Sequence, residues 1–201
     1  MSEPLVHIVD DDPAMRDSVA FLLGAEGIAS RTYESAHALL ARRGQLESGC
    51  IVTDIRMPEM NGLEMVQELK RTAVPHPVIV LTGHADVSLA VQAMKAGVVD
   101  FLEKPFDDEA LLAAVRHALA RGDGDAGRQK ERAEVAARAA QLTPRERAVF
   151  EAIAAGDSNK AAAIRLGISP RTVEIYRANV MTKMQANSLS DLVRMALQLE
   201  A

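Results

Sequence analysis

The sequence predicts an α/β doubly wound sheet of five parallel strands, order 2-1-3-4-5, followed by an all-α domain of four short helices. Three observations carry the fold class; the strand order is the expectation that would bring the strand ends together. Short apolar runs alternate with helical patterns over the first 120 residues, as in a parallel sheet with right-handed crossovers. Four of those runs end in carboxylates, a hydroxyl or a lysine, and such sheets bind ligands at the carboxyl ends of their strands. After Leu142 the strand signal stops and helix starts follow one another.

The predicted strands cover 5–9, 28–33, 50–53, 78–81 and 98–102. The first, third and fourth are near-continuous apolar runs, as expected of strands buried on both faces. Helices are predicted between and after them over 13–23, 36–42, 63–71, 87–96 and 107–120. The glycine-rich stretch Gly122 to Gly127 breaks the pattern. It sets the predicted divisions at 1–121, a linker at 122–141, and 142–201. The linker is rich in Ala, Glu and Arg with little apolar surface, which predicts an exposed helix. In the last part, Thr143, Ser158, Ser169 and Ser188 read as helix N-caps, with Pro144 and Pro170 at first helical positions.

Charge divides along the same line. Residues 1–125 hold 11 Lys and Arg against 20 Asp and Glu, net −9, and residues 126–201 hold 12 against 8, net +4. The two parts are expected to have different partners. The mild basic excess permits nucleic-acid binding. Cys50 is the only cysteine, so neither an internal disulfide nor a thiolate metal site is expected, and it reads as a small core residue. No signal peptide or membrane span is predicted, which fits a cytoplasmic location.

The first strand stops at Asp10, Asp11 and Asp12. The third ends in Thr53 and Asp54, the fourth in Thr82, and the fifth leads into Glu103, Lys104 and Pro105. With order 2-1-3-4-5 these ends share one pocket. Clustered carboxylates raise each other's pKa and need a cation, and an all-oxygen site beside a phosphoryl group suits Mg²⁺. Asp10 and Asp11 are expected to face the metal. Asp12, followed by Pro13, is expected to cap the first helix. His7 reads as structural, and His84 as a loop residue.

"HIVDDD", "VTDIRMPEMNG", "VIVLTGHAD" and "DFLEKPF" resemble the receiver domain of bacterial two-component response regulators. The resemblance implies that Asp54 accepts a phosphoryl group from a sensor histidine kinase. It implies that Asp11, Asp54 and the backbone carbonyl of Arg56 bind Mg²⁺ directly, with Asp10 acting through water. Thr82 and Lys104 would stabilise the phosphoryl oxygens, Phe101 would act as an aromatic switch, and Lys104-Pro105 could be cis. It also implies phosphorylation-driven dimerisation through the 87–96 helix, with Val91 and Lys95 on that segment. Gly62 has a plainer reading as a turn glycine.

"SNKAAAIRLGISPRTVEIYRANVMTKM" has the form of a helix-turn-helix, with small residues in one helix, Gly167 as its C-cap and a second helix from Ser169. A wheel puts Val173, Val180 and Met184 on its core face, with Tyr176 and Arg177 flanking. Arg171, Glu174, Ile175, Ala178 and Thr182 fall opposite, and with Thr172 and Lys183 they are the candidate DNA contacts. The segment is similar to LuxR-type DNA-binding domains, and the two domains together, without the linker, closely resemble FixJ-type regulators. The resemblance implies double-stranded DNA, a homodimer when phosphorylated and RNA polymerase as partners, transcriptional regulation as the outcome, and no enzyme activity as the chain's role. Arg177 is expected to pair with Glu146, which otherwise closes a capping box with Thr143.

Two other readings are weighed. An Mg²⁺-dependent phosphatase would need Asp-x-Asp-x-Thr at the first strand; Asp10 and Asp12 match, but Ala14 stands in the threonine position. A helical bundle that binds protein would share the turn geometry of the C-terminal part.

Overall fold

A computed structural model describes residues 5–72, 74, 76–83, 87–120 and 125–200. They form two compact units, one holding the five strands with α1, α2, α3 and α5, the other holding α4 and α6 to α10. The strands are β1 (Leu5–Val9), β2 (Ser30–Tyr33), β3 (Gly49–Asp54), β4 (Val78–Thr82) and β5 (Asp100–Glu103). All pairings are parallel, in the order β2-β1-β3-β4-β5. The helices are α1 (Pro13–Ala25), α2 (Ala36–Leu40), α3 (Gly62–Arg71), α4 (Val87–Ala96) and α5 (Asp108–Ala120), with a short 3₁₀ turn at Arg43–Gln45.

Alternate residues of the central strands bury on opposite faces. Val6, Ile8, Cys50, Val52, Ile79 and Leu81 meet Val19 and Leu23 of α1 and Leu111 and Val115 of α5. Their neighbours His7, Ile51, Thr53 and Val80 point the other way and are equally buried. Two covered faces explain the unbroken apolar runs. Burial pushes the Cys50 thiol up to about 12, so it is an inert core residue.

The register sets the site. Val9 pairs with Thr53, Asp54 with Leu81, and Thr82 with Glu103. The residues at or just beyond those pairs, Asp10, Asp54, Thr82 and Lys104, therefore sit at one edge. Asp12 caps α1 as expected: its Oδ1 accepts from the Ala14 N–H at 2.9 Å and Pro13 takes the first helical position.

The second unit contains α6 (Asp125–Ala139), α7 (Pro144–Ala154), α8 (Asn159–Leu166), α9 (Pro170–Met184) and α10 (Leu189–Glu200). Ser158 and Ser169 cap α8 and α9, and Gly167 closes α8 with φ 65°. Thr143 and Glu146 form the reciprocal capping box of α7. The linker departs from expectation in two ways. Asp125, Ala126 and Gly127 lie inside α6, while Gly122, Asp123 and Gly124 lie outside the described residues. The helix is also not exposed throughout: Val135 and Ala139 are buried in the same cluster as Val149, Val180 and Leu192. Two apolar residues a helical turn apart are enough to seat its last turns.

Candidate functional site

Lys104 organises the pocket. Its Nζ donates to Asp10 Oδ2 at 2.9 Å and to Asp54 Oδ1 at 2.6 Å. Asp54 Oδ2 accepts from the Arg56 backbone N–H at 2.5 Å, so both carboxylate oxygens are held. Asp10 Oδ1 accepts from the Asp12 N–H at 2.9 Å. The Lys104 N–H donates to the Thr82 carbonyl at 2.7 Å, which ties the lysine loop to the end of β4. Lys104-Pro105 is cis. Asp10, Asp54, Thr82 and Phe101 are buried, and Asp11 is exposed with no side-chain partner among the described residues.

Burial raises the Asp10 carboxyl above its ordinary range, against the hydrogen bonds from Asp12 and Lys104. Burial alone would lower the Lys104 ammonium, but hydrogen bonds and charge from Asp54 and Asp10 outweigh it and hold the pKa above normal. The lysine therefore stays charged at neutral pH. Asp10 and Asp54 around one ammonium leave a formal excess of one negative charge, to which the neighbouring Asp11 adds another. That excess and the all-oxygen donor set suit a divalent hard cation. Among the described residues no three acidic, His or Cys side chains converge to hold a metal.

Two supporting residues escape a reading of the sequence. Arg16 Nη1 donates to the Asp10 backbone carbonyl at 2.6 Å, which anchors the strand end. Gly62 is more than a turn glycine: a Cβ there would lie 2.3 Å from the Asp54 carbonyl oxygen. Its N–H donates to the Ile55 carbonyl at 3.0 Å, drawing α3 against the end of β3. Neither contact leaves a residue-type signal, since each depends on how the strand end meets the helix that follows it.

In the second unit, Val173, Val180 and Met184 of α9 are fully buried. Arg171, Glu174, Ile175, Ala178 and Thr182 are exposed on the opposite face. Ile175 is 56% exposed.

The receiver-domain family model, "Response regulator receiver domain", matches residues 6–116. "Bacterial regulatory proteins, luxR family" matches residues 140–196. The transcriptional regulatory protein FixJ of Azorhizobium caulinodans is 56% identical over 193 residues, 96% of this chain and 91% of the relative. FixJ of Bradyrhizobium diazoefficiens is 49% identical, over 96% of this chain and 94% of that one. The chain belongs to the two-component response regulators. The crystal structure of full-length FixJ from B. japonicum is similar across 100% of this chain and 98% of that one, with 48% identity and a TM-score of 0.59. This is a FixJ-like transcription regulator with a receiver domain and a LuxR-type helix-turn-helix DNA-binding domain. No helix among the described residues is long and apolar enough to cross a membrane.

Several expected site residues stand differently. Val91 is 3% exposed, on the buried face of α4 that also carries Ala90, Ala93 and Met94. Lys95, on its other side, is exposed. Arg177 does not pair with Glu146; it donates to Asn159 Oδ1 at 3.3 Å. Glu146 instead meets Lys183, at 2.7 Å, while closing its capping box. The Lys183 hydrogen bond and then the Thr143 N–H hold the Glu146 carboxyl down at about 2. A wheel gives direction around the axis but not height along it. Lys183 lies six residues beyond Arg177, about 9 Å further along the helix, level with the start of α7. Its charge is thus engaged with Glu146 within the domain. Thr172 is half-buried, its hydroxyl 2.7 Å from that of Ser169. His7 is structural, bonded to the Tyr33 hydroxyl and the Glu47 carbonyl. His84 lies outside the described residues.

Proposed function

We propose that Asp54 accepts a phosphoryl group from a sensor histidine kinase, and that the phosphorylated chain dimerises and binds duplex DNA in the cytoplasm to activate transcription with RNA polymerase. The observation that carries this reading is the pinned Asp54 carboxylate, held through both oxygens by Lys104 and the Arg56 N–H. In the transfer, an Asp54 oxygen attacks phosphorus as the bond to the donor nitrogen breaks, leaving the electron pair on the kinase imidazole. Lys104 pairs with a phosphoryl oxygen, and Thr82 donates to another from the adjacent strand end. Both are fixed dipoles or charges aimed where negative charge gathers. The oxygen donors fit Mg²⁺: Asp11, Asp54 and the Arg56 carbonyl would hold it directly and Asp10 through water. Such an ion supplies positive charge to the transferring group.

Phe101, buried beside the Thr82 strand, carries the signal toward α4, where Lys95 belongs to the dimer surface. Dimerisation strengthens DNA binding by making the second half-site contact intramolecular. Arg171, Thr172, Glu174, Ile175, Ala178 and Thr182 face the DNA. Functionally, residues 1–121 are the receiver, 122–141 the linker and 142–201 the DNA-binding domain. Acetyl phosphate with Mg²⁺ should add one phosphoryl group to the chain and none to Asp54→Asn; efficient labelling of that variant at Asp10 or Asp12 would sink the assignment. Genome-wide binding-site mapping should show sites occupied by wild type and lost in Asp54→Ala. Equal occupancy by the two would detach DNA binding from phosphorylation.

A further inference from the structure

Some side chains on the outer side of α9 are already committed within the domain, and others are not. The Thr172 hydroxyl lies 2.7 Å from that of Ser169, and the Thr182 hydroxyl donates to the Ala178 carbonyl at 3.1 Å. The Glu174 carboxylate is exposed, with no hydrogen bond or ion pair among the described residues. Arg171, one turn earlier, does not pair with it. Ile175 beside it is exposed and apolar. The helix therefore presents one free acceptor next to one aliphatic side chain.

A free carboxylate restricts what this face can read. Phosphates repel it, so it gains nothing from the DNA backbone. In the major groove two base groups donate, the amino groups of cytosine and adenine. The adenine amino group lies between two acceptors, its own N7 and the O4 of the paired thymine. The cytosine amino group has an acceptor, guanine O6, on one side only. A carboxylate only accepts, so it meets less repulsion at cytosine. Ile175 carries no polar side-chain atom, and the apolar group on a major-groove edge is the thymine methyl. We propose that Glu174 and Ile175 set the sequence preference of this regulator: Glu174 accepts a hydrogen bond from a cytosine amino group, and Ile175 packs on the methyl of a nearby thymine. This rests on the reading that the exposed face of α9 meets duplex DNA.

The test is selection from a duplex library with a randomised core, by the full chain incubated with acetyl phosphate and Mg²⁺. Wild type should enrich a motif with a cytosine in each half-site. Glu174→Gln should change that position to adenine, which glutamine pairs at N6 and N7, and keep the rest of the motif. On the wild-type motif it should bind about tenfold or more weakly, the worth of one specific base contact. Replacing a thymine near that cytosine by deoxyuridine removes only the methyl, and at one such thymine it should weaken wild-type binding about fourfold, the worth of one buried apolar carbon. Ile175→Ala should be insensitive to that replacement. The proposal is overturned if Glu174→Gln enriches the wild-type motif, if no thymine replacement weakens binding, or if Ile175→Ala stays as sensitive as wild type. Those outcomes leave DNA binding by α9 standing. If wild type enriches no motif, that reading falls and the proposal with it.

Discussion

Replacing Gly62 with alanine tests how the acceptor strand is held. The added Cβ would sit 2.3 Å from the Asp54 carbonyl oxygen and 3.2 Å from both the Asp54 carbonyl carbon and the Ile55 Cα. All three are backbone atoms, so no flexible side chain can give way. Restoring ordinary contact requires about 1 Å of movement. That movement falls on α3 or on the turn whose Arg56 N–H orients Asp54 Oδ2. Overpacking of this kind costs about 1–3 kcal/mol. A ~1 Å error in a reacting group is worth up to ~100-fold in rate. Gly62→Ala should therefore unfold earlier in urea by about 1–3 kcal/mol and take phosphate from acetyl phosphate with Mg²⁺ roughly 10- to 100-fold more slowly. Gly24→Ala is the control, because nothing lies within 4 Å of a Cβ there and the position is helical. It should gain up to ~1 kcal/mol and phosphorylate normally. If Gly62→Ala matches wild type in both stability and labelling rate, the close approach does not position Asp54.

Other outcomes follow from the same geometry. Glu146→Gln and Lys183→Met should each destabilise the helical domain, with the double variant losing less than their sum; strict additivity would dissolve the pair. Because the Glu146 carboxyl is held at about 2, its contribution is present above its ordinary range near pH 4.5 and lost as pH falls toward 2. Glu146→Gln should flatten urea stability across that window, and an unchanged slope would argue against the shift. Lys183→Met should leave the salt dependence of DNA binding unchanged, whereas Arg171→Met should lower it if Arg171 contacts a phosphate. Burial lowers the His7 pKa, with smaller opposing help from the Glu47 carbonyl. The receiver should therefore lose stability as pH drops below about 6.5 and the unfolded chain takes up the proton first. A stability that stays flat from pH 7.5 to 5.5 in wild type would contradict a neutral buried His7.

Much of this protein is readable in one dimension. Helix starts and the place of Asp54 at a strand end rest on local patterns: apolar runs, capping residues, and carboxylates where those runs stop. Each depends on neighbours within a few positions, so the chain states it directly. Asp12 as a cap, Gly167 as a left-handed terminus and the buried face of α9 belong to this class. The tertiary structure decided what depends on height and distance between elements. Glu146 takes Lys183 rather than Arg177 because α7 starts level with the last turn of α9, and a helical wheel has no axial coordinate. Gly62 is required by a backbone oxygen eight positions earlier that reaches it only after β3 and α3 fold together. Val91 and the α6 pair Val135 and Ala139 looked available because exposure is a property of the packed chain.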